Sequence, residues 1–373
     1  MTGTFIHDFY PPGASPITGP SVDLTVSEIE DAGIREVLQT PGAAYGAWSI
    51  LDALLAATGP GTPFIFKESL GQAREVKVAL SGLFGRFVAR AYLERYFGLS
   101  IFVHVGKGSM QLDGRRRIEI VRRARGDLPD WVACDANLSS LTVAEAKGCH
   151  DPGGPAKALA RAWDQAQRID VTAKGKRVTV KRIAVATRWG AATMGSSEAH
   201  LSVQDPVDEG EPIEPDDHGA LFVGLVRQHV ANLIAPLGHQ ELATSLRQLS
   251  QDRLPGSLQR DLVHARSILD DTPVREVDGS AIGALVGGIV TRAGPLTDSA
   301  VAASDQDVLA RLNLRPVFVG VEIDLIRSAI EGQVDTIRKR MIDISRADDV
   351  ARSDRSGGWI VPLGSGHRTV REI

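Results

Sequence analysis

Asp130, Glu145 and Lys147 are residue types that can do chemistry together, provided the chain between them folds back on itself. Trp131-Val132-Ala133-Cys134 and Leu141-Thr142-Val143-Ala144 are rich in β-branched and aromatic types and read as two short strands. Asp135-Ala136-Asn137-Leu138-Ser139-Ser140 carries the turn-forming types between them. A hairpin centred between Asn137 and Leu138 sets Asp130 directly opposite Glu145. Side chains two apart on a strand share a face, so Lys147 joins them. Two carboxylates with water nearby suit a hard divalent cation such as Mg²⁺, which keeps much of its hydration and takes few protein ligands. A lysine beside that ion can orient a water, or stabilise the charge that builds on a phosphate under attack. The array predicts metal-assisted phosphodiester hydrolysis. The plainer alternative is a surface hairpin on which Glu145 and Lys147 are merely solvated.

Several elements must hold this array in place. From Gly71 to Gly98 the apolar residues Val76, Leu80, Leu83, Phe84, Phe87, Val88, Ala91 and Tyr92 recur at three- and four-residue steps, which predicts a helix stopped by Gly98. Leu99–Val105 reads as a strand, in which His104 is an ordinary strand residue. Lys107, Arg115, Arg116, Arg117, Arg122, Arg123 and Arg125 then form the densest positive stretch, ending just before Asp130. Such a run can lie along a phosphate backbone, or can be a solvated face. Beyond Lys147, Pro155–Ile169 predicts a helix with Leu159, Ala162, Trp163 and Ala166 on its apolar face. A basic turn then leads to a strand over Val178–Arg188.

Pro129-Asp130 followed by Glu145-Ala146-Lys147 resembles the PD-(D/E)XK nuclease superfamily, over about residues 71–189. The resemblance implies an α/β, restriction-endonuclease-like fold, a mixed β-sheet core flanked by helices. It implies Mg²⁺ (or Mn²⁺) held by Asp130 and Glu145, with the main-chain carbonyl of Ala146 as a further ligand, and Lys147 as the catalytic lysine. A glutamine on the following helix is expected, and Gln165 fits that place best, with Gln167 second. Many members also carry a glutamate on the helix before the first core strand. Here Gly85-Arg86-Phe87-Val88-Ala89-Arg90 has arginine instead, leaving Glu94 or Glu75 as substitutes. On this reading the protein is a Mg²⁺-dependent endodeoxyribonuclease, with DNA as partner and Arg115, Arg116, Arg117, Arg122 and Arg123 contacting it. Bacterial restriction or antiphage defence is the setting such an enzyme suggests. The other reading is a catalytically inactive nucleic-acid-binding or assembly subunit on a nuclease-like core.

Composition leaves this open. The net charge of −4 gives no bulk attraction for nucleic acid, so any must come from local patches. Two cysteines, Cys134 and Cys149, make neither a disulfide framework nor a zinc pattern. The longest apolar stretch, Ala281–Val290, is too short to span a bilayer, and no signal segment is legible, so a cytoplasmic protein without a membrane partner is expected. Three regions are expected: an N-terminal arm and helical region (1–70), the nuclease-like core (71–190) and a mostly helical C-terminal region (191–373). The first 25 residues, rich in Pro, Gly, Ser and Thr, read as an irregular arm or as disorder, and Trp48–Ala57 as a short helix. Beyond an acidic loop (190–218), helices are expected at Ala220–Ala235, Glu241–Leu249, Leu258–Leu269 and Asp324–Ile344, and strands at Ile282–Thr291 and Pro316–Val321. This region offers a surface for a protein partner or a second copy and, equally, for contact with substrate.

Overall fold

A computed structural model describes residues 2–11, 14–40, 65–66, 74–106, 108–150, 154–191, 199–205, 210–251, 254–277, 283–291, 294–295, 316–344, 352–353, 358–363 and 370–372. The helix expected over Trp48–Ala57 lies outside these residues. In chain order the first part runs β1 (Thr2–Phe9), β2 (Ile17–Thr18), β3 (Val22–Thr25), α1 (Val26–Gln39), β4 (Ile65–Phe66), α2 (Arg74–Tyr96), β5 (Ile101–His104), β6 (Met110–Asp113), β7 (Ile118–Arg122), β8 (Trp131–Cys134) and β9 (Leu141–Cys149). It continues with α3 (Ala156–Ala166), β10 (Ile169–Ala173), β11 (Lys176–Arg177), β12 (Lys181–Arg188), β13 (Gly190–Ala191) and β14 (His200–Gln204).

The main sheet has the order β2-β1-β14-β12-β9-β8-β5 and is mixed. β5, β8 and β9 form an antiparallel meander, and β12 returns parallel to β9 after α3 crosses over. A parallel return needs such a crossover, because a tight turn cannot reverse the chain twice. Helices cover both faces. Leu159 and Ala162 of α3 pack on Ala184 and Ala186 of β12, whereas Phe84 and Phe87 of α2 join the main core with Ile183 and Val185, which point the other way. Burying each of those phenylalanines contributes about 1.5–3 kcal/mol.

The N-terminal segment is not an irregular arm. β1 runs parallel to β14 inside the main sheet, with Phe5 fully buried. Its Gly, Pro and Ser residues are concentrated after Phe9, whereas Thr2–Phe9 alternates half-buried and buried positions over Thr2–His7 as a strand should. A capping box then starts α1: Glu28 N–H donates to the Thr25 hydroxyl, and Thr25 N–H donates to the Glu28 carboxylate.

The C-terminal region comprises α4 (Pro215–Ile234), α5 (Gln240–Gln251), α6 (Pro255–Asp270), β15 (Arg275–Val277), β16 (Leu285–Thr291), β17 (Gly294–Pro295), β18 (Val317–Glu322), α7 (Ile323–Glu331), α8 (Val334–Ile344), β19 (Arg352–Ser353), β20 (Gly358–Pro362) and β21 (Val370–Glu372). It is less purely helical than expected, since β15–β21 form a second, seven-stranded sheet. The single long helix expected near 324–344 is two helices. Gly332 adopts the left-handed conformation (φ +71°) and ends α7 before α8 begins. The segment Pro215–Leu237 is long and apolar enough to cross a bilayer, yet it is largely buried inside the protein, as a core helix is. It covers the free edge of β5, where the backbone N–H of Phe102 donates to His229 Nδ1 at 3.0 Å.

Candidate active site

The hairpin register places the three chemistry-bearing residues. Trp131 pairs with Ala144 and Cys134 with Leu141, so Asp130, one step before Trp131, stands opposite Glu145. The backbone N–H of Asp130 donates to Glu145 Oε2 at 2.9 Å, and the N–H of Ala146 donates to Asp130 Oδ2 at 3.0 Å. The turn is fixed by Asp135, whose carboxylate accepts from Ser139 N–H at 2.7 Å, and by Leu138 at φ +52°.

Lys147 shares the face of Glu145, as alternation requires. Its ammonium donates to the Glu145 carboxylate and, at 2.9 Å, to Gln165 Oε1. Gln165 sits near the end of α3, is buried, and donates its amide N–H to the Leu128 carbonyl, which ties the helix to the segment entering β8. Gln165, rather than Gln167, is therefore the glutamine that reaches this site. Glu145 is fully buried while the Lys147 side chain is 34 % exposed, so the ammonium is the solvent-facing member of the pair.

Of the two acids expected as substitutes, Glu94 is engaged elsewhere. Glu94 pairs with Arg35 and Arg90, two turns beyond Arg86 on α2, and the side chain of Glu75 lies outside the described residues. The acid near the site is Glu36 of α1. Its carboxylate pairs with Arg86 and Arg90 and accepts the indole N–H of Trp131 at 2.9 Å. Arg86 also ion-pairs with Asp130, Nε to Oδ1 at 3.2 Å. One buried network thus runs from α1 through α2 to the start of β8. The sequence signal was present: Ile29, Ala32, Gly33 and Glu36 share a buried helix face, and an acid on such a face needs a cationic partner.

Close backbone contact seats α2. A Cβ on Gly85 would lie 2.6 Å from the backbone of Gly148, and one on Gly148 would lie 1.7 Å from the Ser81 carbonyl oxygen. Only glycine at both positions lets the helix approach β9 this closely beside Lys147.

The electrostatics follow from burial. Burial and the neighbouring Asp130 push the Glu145 carboxyl up to about 9, although Lys147 opposes them. Burial would also raise Glu36, but Arg86 and Arg90 outweigh it and hold that carboxyl below its ordinary value. Positive charge brought beside Glu145 favours its ionised form, as Lys147 already does. The donor set suits a hard divalent cation: carboxylates from Asp130 and Glu145, and Ala146 between Glu145 and Lys147 on the same strand. Among the described residues no group of three or more His, Cys, Asp or Glu gathers as a fuller metal cage.

The basic stretch divides in two. Arg115, Arg116 and Arg117 occupy the β6–β7 turn, where Arg116 pairs with Asp217 of α4 at 3.0 Å. They stand at the far end of β7 from the site, roughly 15 Å away along the strand. Arg122 and Arg123 are exposed at the near end, followed by exposed Arg125. Arg122 donates to the Gly126 carbonyl at 2.8 Å, and Arg168 ties the same loop through the Asp127 carbonyl at 3.0 Å. Cys134 and Cys149 are both free, Cys134 being buried.

Compared with protein-family models, curated proteins and solved structures, the chain matches none.

Proposed function

We propose that this protein is a metal-dependent nuclease that hydrolyses DNA phosphodiester bonds on a restriction-endonuclease-like core. The observation that carries the reading is the convergence of Asp130 and Glu145 across β8 and β9, with the Lys147 ammonium held between Glu145 and Gln165. The order α2, β5, β8, β9, α3, β12, with its antiparallel meander and parallel return, supports it as the element order the resemblance implies. Asp130, Glu145 and the Ala146 carbonyl would hold Mg²⁺ or Mn²⁺, which supplies Lewis acidity and a more acidic bound water. Gln165 fixes the lysine, so the ammonium is oriented before substrate arrives and can neutralise charge building on the attacked phosphate. Arg122 at the end of β7, and Arg123 and Arg125 on the loop that leads from it into Asp130, suit the flanking phosphates.

One observation favours a second reading, a nucleic-acid-binding or assembly subunit without catalysis: Arg86 already places a guanidinium on Asp130. Incubation of supercoiled plasmid with purified protein separates the two. The nuclease reading predicts nicking or cutting that requires Mg²⁺ or Mn²⁺ and is lost in a folded Lys147→Ala variant. Salt-sensitive DNA binding with no cleavage in either metal would establish the binding subunit instead.

A further inference from the structure

A cleft of about 680 Å³ opens between the β5–β6 connection and the helices α4 and α5, on the face of the main sheet opposite Glu145 and Lys147. Its volume is that of a small-ligand pocket. Gln228 and Asn232 face it from successive turns of α4, and Arg247 and Gln251 from successive turns of α5. His104 closes the end nearest Asp130: it pairs with Trp131 across β5 and β8, and the next residue, Val105, donates its N–H to the Asp130 carbonyl at 3.1 Å.

The lining has hydrogen-bonding capacity that the protein does not use. Gln228 is mostly buried, and its amide opens onto the cleft without a hydrogen bond to any described residue. Gln111 donates to Glu119 at 2.6 Å but leaves a buried carbonyl oxygen unpaired. Arg247 donates to Asn232 Oδ1 at 3.0 Å through one nitrogen, so that the two side chains are held as a unit against the cleft. Neutral amides offer donors and acceptors together, and a single guanidinium adds a planar fork. That mixture matches the alternating donors and acceptors of a nucleobase edge better than it matches a phosphate, which calls for donors and positive charge alone.

We propose that this cleft binds an unpaired nucleobase of the substrate strand, read by Gln228 and Gln251 together with the Asn232–Arg247 pair. The inference rests on the nuclease reading for its choice of ligand, but its test does not depend on cleavage. Binding of each of the four deoxynucleoside 5′-monophosphates, and of deoxyribose 5-phosphate, is measured by chemical-shift titration without divalent metal. The proposal requires that at least one nucleotide bind tenfold or more tighter than deoxyribose 5-phosphate. It also requires that Gln228→Met, which keeps the length but removes the hydrogen-bonding atoms, reduce that binding at least tenfold. Gln251→Ala, at an exposed position on the rim, must weaken it as well and guards against a misfolded Gln228 variant. Any lesser discrimination, an unchanged affinity in both variants, or no binding overturns the proposal. Base binding in a protein that fails to cut DNA removes the hydrolase reading and leaves the cleft standing.

Discussion

Replacing Glu145 with glutamine keeps the shape of the side chain and removes its charge, which makes the pH dependence of stability the sharpest test of the site's electrostatics. The native carboxyl is raised to about 9 from an ordinary 4.5, chiefly by burial and by Asp130. Between those values the native state keeps a proton that the unfolded chain has released. Raising the pH therefore favours unfolding: this stabilising contribution is complete below about 4.5 and is lost as pH climbs through about 9. The slope is at most about 1.4 kcal/mol per pH unit, or about 3 kcal/mol between about pH 6 and pH 8. His7, His104 and His239 are all held below the ordinary histidine value by burial and act in the opposite direction on the acid side. They are common to both proteins, so the difference between wild type and Glu145→Gln isolates the carboxyl. Urea unfolding of both proteins in a chelating buffer, at several pH values, measures it. The variant should gain on wild type steadily as pH rises, and added Mg²⁺ should restore wild type alone. Parallel stability profiles for the two proteins would refute the assignment of Glu145 as a strained buried acid.

Further outcomes follow from the same geometry. Glu36→Gln leaves Arg86 and Arg90 without their shared carboxylate and should cost about 3–5 kcal/mol in denaturant unfolding, as broken buried ion pairs do. Gly148→Ala drives a methyl into the Ser81 carbonyl and should lower stability by about 1–3 kcal/mol through displacement of α2, seen as a lower urea midpoint. Removing Arg123 should reduce the slope of log K against log salt for duplex DNA by about 0.9 for one lost phosphate contact, measured by fluorescence anisotropy. Arg115→Ala, at the far end of β7, should leave that slope unchanged.

Much of the site was legible in the sequence because it is local. The β8–β9 register is fixed by a turn whose Asp135 and Ser139 bond each other and by strands of high β-propensity, so Asp130 opposite Glu145 followed from counting residues. Gln165 over Lys147 followed from the short crossover through α3. Contacts between distant segments were not legible. Glu36 reaches Arg86 across 50 residues, and nothing in either local pattern names the other. The basic stretch divides because adjacency in sequence is not adjacency in space: five residues of β7 separate Arg117 from Arg123. β1 was hidden because the Gly and Pro residues after Phe9 dominated the composition of the whole N-terminal segment, and Gly332 broke a helix whose apolar pattern continued beyond it.

The central claim is that Asp130, Glu145 and Lys147 form one phosphodiester-cleaving centre. Single-turnover cleavage of end-labelled DNA with Mn²⁺, comparing wild type with Glu145→Gln, tests it most directly. The account predicts cleavage by wild type and a rate at least ~100-fold lower in the variant, the scale on which removing one charge-stabilising group acts. Equal rates in the two proteins, or no cleavage by a wild type that binds the same DNA, would contradict it.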